Sequence, residues 1–326
     1  MTRTIKIEAP AKVNLTFELK GLLPDNYHEV KTLLQTVSLC DSLTFNINRA
    51  REPEVNIAVS TKAADFPLGA DNLIARAIRL YLSHVGNLPP LKIDVFVEKR
   101  IPIGAGLAGG SSNGAAALLA MNAFNQIQVP EDELCLLAAK LGADVPFSLK
   151  GGTSIGTVRG DVLDAVPQAK ELHLVLAKHQ HLSIATPWVY KSYDELTSPF
   201  GLSERLRDRG IADDATDFAA EKLQEDPLAA LKAFGNDFEQ VVFPHYQELK
   251  ELKQTLLEAG ARACHMTGSG PTMFAVAQDA EAAAAIAAKY KELTACKDMV
   301  CATKFDPVDL FVCSSVPYGA RIIEQN

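Results

Sequence analysis

Pro102-Ile103-Gly104-Ala105-Gly106-Leu107-Ala108-Gly109-Gly110-Ser111-Ser112 is the stretch from which the rest of this chain is read. Four glycines fall within positions 104–110, and two hydroxyl residues follow. Behind them comes an Ala- and Leu-rich run, Ala115–Asn125, with strong helix-forming composition. Glycine lets the backbone turn its N–H groups inward and lets a ligand approach with no Cβ in the way. A helix N-terminus adds unpaired donors and a partial positive charge. Together these predict a phosphate or pyrophosphate site. The plainer alternative is a surface linker, but linkers are polar and do not run straight into a helix. A side chain at Gly106 is accordingly expected to fill space needed by the phosphates, at little cost to stability.

Several phosphate sites share such glycines. Gly104, Gly106 and Gly109 satisfy G-x-G-x-x-G. The dinucleotide version requires a strand–helix–strand unit of about 30 residues, with an acid about 20 positions on. Here two helical segments follow, Ala115–Asn125 and Glu131–Leu141, and no apolar strand ends in an acid at that distance. A Walker A loop needs Gly-Lys before Ser or Thr, whereas Gly110 is followed by Ser111. The His-Arg-Asp and Asp-Phe-Gly tripeptides of protein kinases are both absent from the sequence.

The 326 residues allow one large or two ordinary domains. Hydrophobic residues make up 48% and charged residues 22%, as in globular enzymes. A net charge of −8 argues against a broad nucleic-acid surface. Cys40, Cys135, Cys264, Cys296, Cys301 and Cys313 form no C-x-x-C pair. They read as reduced thiols of a cytoplasmic protein. No apolar run is long enough to span a bilayer and no targeting segment is visible, so no membrane partner is expected.

Val13, Leu15, Phe17 and Leu19 alternate with polar residues, the period of a half-buried strand. Pro24-Asp25-Asn26 marks a turn. Strands are expected at Val30–Leu39, Leu43–Ile47, Val55–Val59 and Leu91–Val97. Asp71 or Asn72 is placed to cap a helix carrying Ile74, Ala77, Ile78 and Tyr81. The second half opens with a strand at Leu172–Ala177. A polar stretch, Ser198–Glu225, reads as a loop or helical insertion. Helices are expected at Leu228–Gln240, Tyr246–Glu258 and Glu281–Lys291. Strands are expected at Ala261–Met266, Thr272–Ala277 and Met299–Thr303. This order predicts an α+β protein: a strand-rich unit over 1–167, then an α/β sandwich with an antiparallel sheet over 168–326.

Four further groups carry chemistry, each with a plainer reading beside it. Lys12 and Asn14 share one face of the first strand, opposite Val13 and Leu15. A lysine there is either a solvated charge or a functional cation. Asp144 sits between Gly142 and Pro146, on a connector that Pro146 keeps from continuing as helix. It is either a turn aspartate or a carboxylate at the mouth of a cleft. Tyr27-His28 offers an aromatic face beside a donor–acceptor ring, which can stack on and read a base or simply pack a loop. Gly268-Ser269-Gly270 is either a hairpin turn or a second phosphate-compatible turn.

In combination these segments resemble a known family. Ala9-Pro10-Ala11-Lys12-Val13-Asn14-Leu15, Pro102–Ser112 and Gly268-Ser269-Gly270 are similar to the three motifs of the GHMP kinase superfamily. Pro24-Asp25-Asn26-Tyr27-His28-Glu29 and Gly142-Ala143-Asp144-Val145-Pro146-Phe147 resemble, more narrowly, the branch serving non-mevalonate isoprenoid synthesis. The resemblance covers nearly the whole chain and is weakest over Ser198–Glu225. It implies a two-domain kinase fold with the active site between the domains. It implies ATP and Mg²⁺, with the metal's protein ligands left open. The implied reaction is phosphorylation of the 2-hydroxyl of a cytidine-diphosphate-linked methylerythritol. A homoserine- or mevalonate-type kinase is the alternative.

The resemblance also implies roles for particular residues. Asp144 takes the position of the catalytic base and Lys12 that of its partner. ATP falls to Lys99 and to Pro102, Ile103, Gly104, Ala105, Gly106, Leu107, Ala108, Gly109, Gly110, Ser111 and Ser112. The substrate falls to Asn14, Tyr27, His28, Tyr190, Gly268, Ser269 and Gly270, with Tyr27 and Tyr190 holding the cytosine between them. Ala108 and Gly114 stand at positions that vary in such motifs, and both are small enough to keep the turn.

Overall fold

A computed structural model describes residues 2–50, 55–69, 71–86, 89–125, 128–167, 170–197, 215–227, 230, 235–301 and 307–326. A 20-residue strand, β1 (Arg3–Leu22), begins the chain. It turns at 23–27, where Asn26 takes the left-handed conformation (φ 64°), into β2 (His28–Arg49). The two segments expected at Val30–Leu39 and Leu43–Ile47 are one strand. Cys40-Asp41-Ser42 breaks the apolar pattern but not the pairing, because Asp41 and Ser42 stay in register with Ala9 and Glu8 of β1.

The first sheet continues with β3 (Asn56–Thr61) and β4 (Leu91–Glu98), which run parallel and are joined through helix α1 (Leu73–Val85). Asn72 caps α1: its side-chain oxygen accepts from the N–H groups of Ile74 and Ala75. Three helices follow: α2 (Gly109–Phe124), α3 (Glu131–Leu141) and α4 (Asp144–Lys150). Their apolar faces cover one side of the sheet, with Ile78, Tyr81, Leu118 and Leu134 against Ile5, Phe45 and Val95. Strands β5 (Thr153–Thr157) and β6 (Val162–Val166) form a hairpin that pairs with the first half of β2.

In the second half, β7 (His173–His179) is followed by α5 (Thr186–Thr197), α6 (Ala215–Glu225), α7 (Glu239–His245) and α8 (Gln247–Glu258). Then come β8 (Ala263–Met266), β9 (Met273–Ala277), α9 (Ala280–Cys301) and β10 (Val308–Ser314). The second sheet has the order β10-β7-β9-β8 and is antiparallel throughout. Leu252 and Leu256 of α8 and Ile286 and Tyr290 of α9 pack on one face. The other face, through Leu174, Leu176, Phe274 and Val276, packs on Val13, Leu15 and Leu33 of the first sheet.

The structure departs from expectation at several points. The helix expected at Ala115 begins at Gly109, because the first turn tolerates the two glycines once the tertiary structure fixes them. Asp144 is the first residue of a short helix rather than part of a connector. Pro146 sits within that helix's first turn, where its missing N–H costs nothing. Gly235 to Phe238, expected inside a helix, instead bridge to β1: Phe17 N–H donates to the Gly235 carbonyl and Asp237 N–H to the Phe17 carbonyl. Of the strand expected at Met299–Thr303, residues 299–301 are helical, since α9 runs through to Cys301, residues 302 and 303 lie outside the described residues, and β10 follows at Val308. Within Ser198–Glu225, residues 198–214 lie outside the described residues. The remainder is α6, packed on the interdomain core through Ala219 and Leu223. A last strand, β11 (Arg321–Gln325), was not foreseen and pairs with β1. The end of the 168–326 segment therefore belongs to the first sheet.

Candidate active site

A cleft of about 630 Å³ opens between the two halves. Its lining includes Phe66, Pro67, Leu73 and the glycine loop, the polar residues Lys12, Asn14 and Asp144, and Val30, Arg159, Tyr190 and Phe238.

The loop at 102–108 is held from both sides. Ile101, Ala105 and Leu107 are buried in the core shared by the two sheets. The Lys12 N–H donates to the Leu107 carbonyl at 3.1 Å. Ala108, in the left-handed region at φ 54°, leads directly into α2, whose first N–H groups are unpaired by any side-chain cap. Gly106 has φ +75°, and a Cβ there would lie 2.8 Å from the Gly270 carbonyl oxygen and 2.9 Å from that of Thr267. The glycine is thus required for contact between two backbones, not only for room beside a phosphate. This corrects the expectation of little effect on stability. Gly106→Val should lower the unfolding midpoint in urea as well as ATP affinity, by roughly 1–3 kcal/mol from overpacking alone. A folded variant of unchanged midpoint would show that the 267–270 turn moves aside freely.

Beneath the loop lies a residue that the sequence reading passed over. Asp41 is fully buried. Its Oδ1 accepts from the N–H groups of Arg100 (2.8 Å) and Ile101 (2.9 Å). Its Oδ2 accepts from Lys99 Nζ (2.6 Å) and Asn113 Nδ2 (2.9 Å). Lys99 also donates to the Ile101 carbonyl at 2.6 Å. Burial pulls the Lys99 ammonium below the usual lysine range, against the opposing pull of Asp41. Lys99, expected as a nucleotide ligand, lines the cleft but has its charge neutralised from below. The only hint in the sequence is a lone acid interrupting an apolar strand.

The Lys12–Asp144 part of the cleft is built on β1. Lys12 and Asn14 project into the cleft, while Val13 and Leu15 point into the interdomain core, as the alternation predicts. Lys12 Nζ donates to Asn14 Oδ1 at 2.7 Å and lies 3.7 Å from Asp144 Oδ1. Asn14 is fixed in turn: its Nδ2 donates to Thr32 Oγ1 at 2.9 Å, and its N–H donates to Thr267 Oγ1 at 2.9 Å. The Lys12 side chain is buried and that of Asp144 is 39% exposed, so the pair has one shielded and one accessible member. Asp144 stands in the first turn of α4, where free N–H groups favour a negative charge.

The turn at 267–271 closes the site from the second half. Gly268 has φ +54°, and a Cβ there would approach Asn14 Oδ1 to 3.1 Å. Asn236, another residue without a sequence signal, donates from Nδ2 to the carbonyls of Met266 and Gly268, both at 2.7 Å. Ser269 shares a hydrogen bond of 2.8 Å with Thr186 at the start of α5.

The aromatic end is arranged differently from expectation. The ring beside Tyr190 is His28, with centroids 4.8 Å apart, and Phe238 meets Tyr190 edge-on, also at 4.8 Å. His28 is buried, and its Nε2 lies 2.7 Å from Asp194 Oδ1. Tyr27 is 59% exposed at the rim, with the Arg159 guanidinium 4.0 Å above its ring. No Tyr27–Tyr190 sandwich is formed in this state. Burial, and after it the Asp144 carboxylate, push the Tyr190 hydroxyl up to about 12, so it stays protonated and feels the charge of Asp144.

Known proteins are similar to this chain in sequence and in fold. Models of the GHMP kinases N-terminal and C-terminal domains match residues 72–152 and 219–295. A 4-diphosphocytidyl-2-C-methyl-D-erythritol kinase from Thermosynechococcus vestitus is 36% identical over 97% of this chain and 98% of its own. One from Synechococcus elongatus is 38% identical over 91% of this chain and 94% of its own. The chain belongs to the 4-diphosphocytidyl-2-C-methyl-D-erythritol kinase family. A solved structure of such a kinase superposes with a TM-score of 0.70 at 28% identity, covering 96% of this chain and 100% of that one. A homoserine kinase from Cytophaga hutchinsonii superposes with a TM-score of 0.72 at 22% identity, covering 98% and 97%. Shape alone therefore does not separate this family from a kinase named for another substrate. Among the described residues no helix is long and apolar enough to cross a membrane.

Proposed function

We propose that this chain transfers the γ-phosphoryl group of ATP to the 2-hydroxyl of 4-diphosphocytidyl-2-C-methyl-D-erythritol. The observation that carries the reading is the Lys12–Asp144 pair, 3.7 Å apart in the cleft beside a glycine loop that opens a helix. Phosphoryl transfer is mainly positioning and charge neutralisation. The substrate oxygen attacks the γ-phosphorus as the bond to the ADP oxygen breaks. The hydroxyl proton passes to Asp144. Lys12, aimed by Asn14, sets a positive charge beside that carboxylate and stabilises negative charge on the attacking oxygen.

The loop N–H groups and the first turn of α2 suit a triphosphate. Among the described residues no group of three or more His, Cys, Asp or Glu side chains could hold a metal ion. Mg²⁺ commonly keeps several waters and takes one or two carboxylates plus phosphate oxygens, and the site fits that mode. The hydroxyls of Ser111 and Ser112, at the start of α2, are the candidate protein donors, and the Ser112 hydroxyl is buried without a partner. The ion would supply charge neutralisation on the triphosphate. We place the activity in the cytoplasm, in keeping with free thiols at Cys40, Cys135, Cys264 and Cys313.

The cytosine is assigned to the end formed by Tyr27, His28 and Tyr190. Base–aromatic stacking contributes roughly 1–3 kcal/mol, so Tyr27→Ala should raise the KM for the cytidine-linked substrate about five- to a hundred-fold. The KM for ATP should hardly change. Equal effects on both would move the base elsewhere. The reaction itself is tested by ADP release from the purified protein with the cytidine-linked substrate, homoserine and mevalonate. Turnover on the first alone is expected; turnover on either of the others alone would replace this reading.

A further inference from the structure

We propose that Asn236 is a positioning residue of the phosphoryl transfer: it fixes the start of the 267–270 turn relative to β1 and so sets the aim of Asn14 and Lys12. The inference rests on the kinase reading above, in which Lys12 acts on the attacking oxygen.

Asn236 is buried, and every polar atom of its side chain is engaged. Nδ2 carries two N–H groups, and their acceptors are the carbonyls of Met266 and Gly268, both at 2.7 Å. Oδ1 accepts from the Phe238 N–H at 2.9 Å. A side chain without two donors at this place would leave one or both carbonyls short of a partner.

The backbone around Asn236 is tied to the strand that carries Lys12. It bridges to Phe17 of β1, and the Leu19 N–H donates to Asp237 Oδ2 at 2.9 Å. Asn236 therefore has a set place relative to β1, and its amide hands that place on to the turn. Glu239, at the start of α7, adds a second hold. Its Oε1 accepts from the Met266 N–H at 2.8 Å, and its Oε2 accepts from Lys253 Nζ at 2.7 Å.

The turn in its own right touches the Lys12–Asn14 pair. Thr267 Oγ1 accepts from the Asn14 N–H at 2.9 Å and donates to Asn14 Oδ1 at 3.3 Å. Asn14 Oδ1 is also the atom that accepts from Lys12 Nζ. A Cβ on Gly268 would lie 3.1 Å from Asn14 Oδ1 and 3.8 Å from Lys12 Nζ. With packing this close, a displaced turn displaces the ammonium. A misplacement of about 1 Å in a reacting group costs on the order of 10²-fold in rate.

The test is a double-mutant cycle read by ADP release, with Asn236→Ala, Lys12→Ala and the two combined in the full chain. Asn236→Ala should lower kcat at least tenfold while the KM for ATP changes less than threefold. In the Lys12→Ala background the same change should cost less than threefold, because the group that it aims is gone. Leu256→Ala, in the core between α8 and the second sheet, sets the scale for a purely structural loss. Assayed well below its thermal midpoint, it should keep kcat within twofold of the parent. If Asn236→Ala does not fold, Asn236→Ser carries the same cycle with the same limits. Parental kcat in the folded variant, losses that multiply in the double variant, or an equal loss in Leu256→Ala would each overturn the inference. So would a raised KM for ATP with kcat intact. A parent that turns over homoserine or mevalonate in place of the cytidine-linked substrate would instead overturn the reading of the reaction, and the cycle run on that substrate still decides whether Asn236 acts through Lys12.

Discussion

Asp144→Asn should retain the fold and ATP binding while lowering kcat by about 10²- to 10⁴-fold, the usual contribution of a positioned general base. The substitution keeps the side-chain shape. It keeps the hydrogen bond from the Ser148 hydroxyl to the backbone carbonyl of residue 144 at 2.8 Å. It removes the carboxylate that we propose accepts the proton and that faces Lys12 at 3.7 Å. Lys12 keeps Asn14 Oδ1 as an acceptor, so the buried ammonium is not stranded. The pattern to look for is a large loss in single-turnover rate with a thermal midpoint near that of the parent. Parental rates in a folded variant would mean that the substrate oxygen loses its proton elsewhere.

Asp41→Ala should be the most destabilising single change near the site. It strips an acceptor from Lys99, Asn113 and two backbone N–H groups at once. Breaking one side of a buried ion pair costs about 3–5 kcal/mol, against a total stability of about 5–15 kcal/mol for a domain. Urea denaturation should show that loss, and ATP affinity should fall because the base of the glycine loop is released. Asp41→Ala with Lys99→Met should recover part of the stability, since no unpaired charge then remains buried. If the double variant is no more stable than the single one, the ion pair is not what secures the loop.

The two predictions differ in how visible their residues are in the sequence. Asp144 is flanked by Gly142 and Pro146, so its local setting is written into neighbouring residues. Asp41 contacts residues 58–72 positions away, and nothing beside it in the chain announces those partners. Asn236, which donates to the carbonyls of Met266 and Gly268 on either side of the start of the 267–270 turn, is in the same position. The aromatic end shows an intermediate case. Tyr27-His28 is conspicuous as a dipeptide, but which ring faces Tyr190 depends on how the β1–β2 turn meets α5, and the buried ring is His28.

By itself the sequence determined whatever depends on local periodicity and backbone chemistry. The alternation of β1 sends Lys12 and Asn14 to one face, and the glycine loop must precede a helix. Three separated motifs together indicated the family. The tertiary structure decided what depends on distant segments meeting. It joined two apolar runs into β2, because pairing with β1 and then β4 outweighs a polar interruption. It carried the last strand, β11, back to the first sheet. It made Gly106 a point of backbone contact with the 267–270 turn, turned Lys99 toward Asp41, and brought Arg159 over Tyr27. Local propensity has a range of a few residues, whereas close packing and the pairing of buried charges are settled only when the two halves of the chain come together.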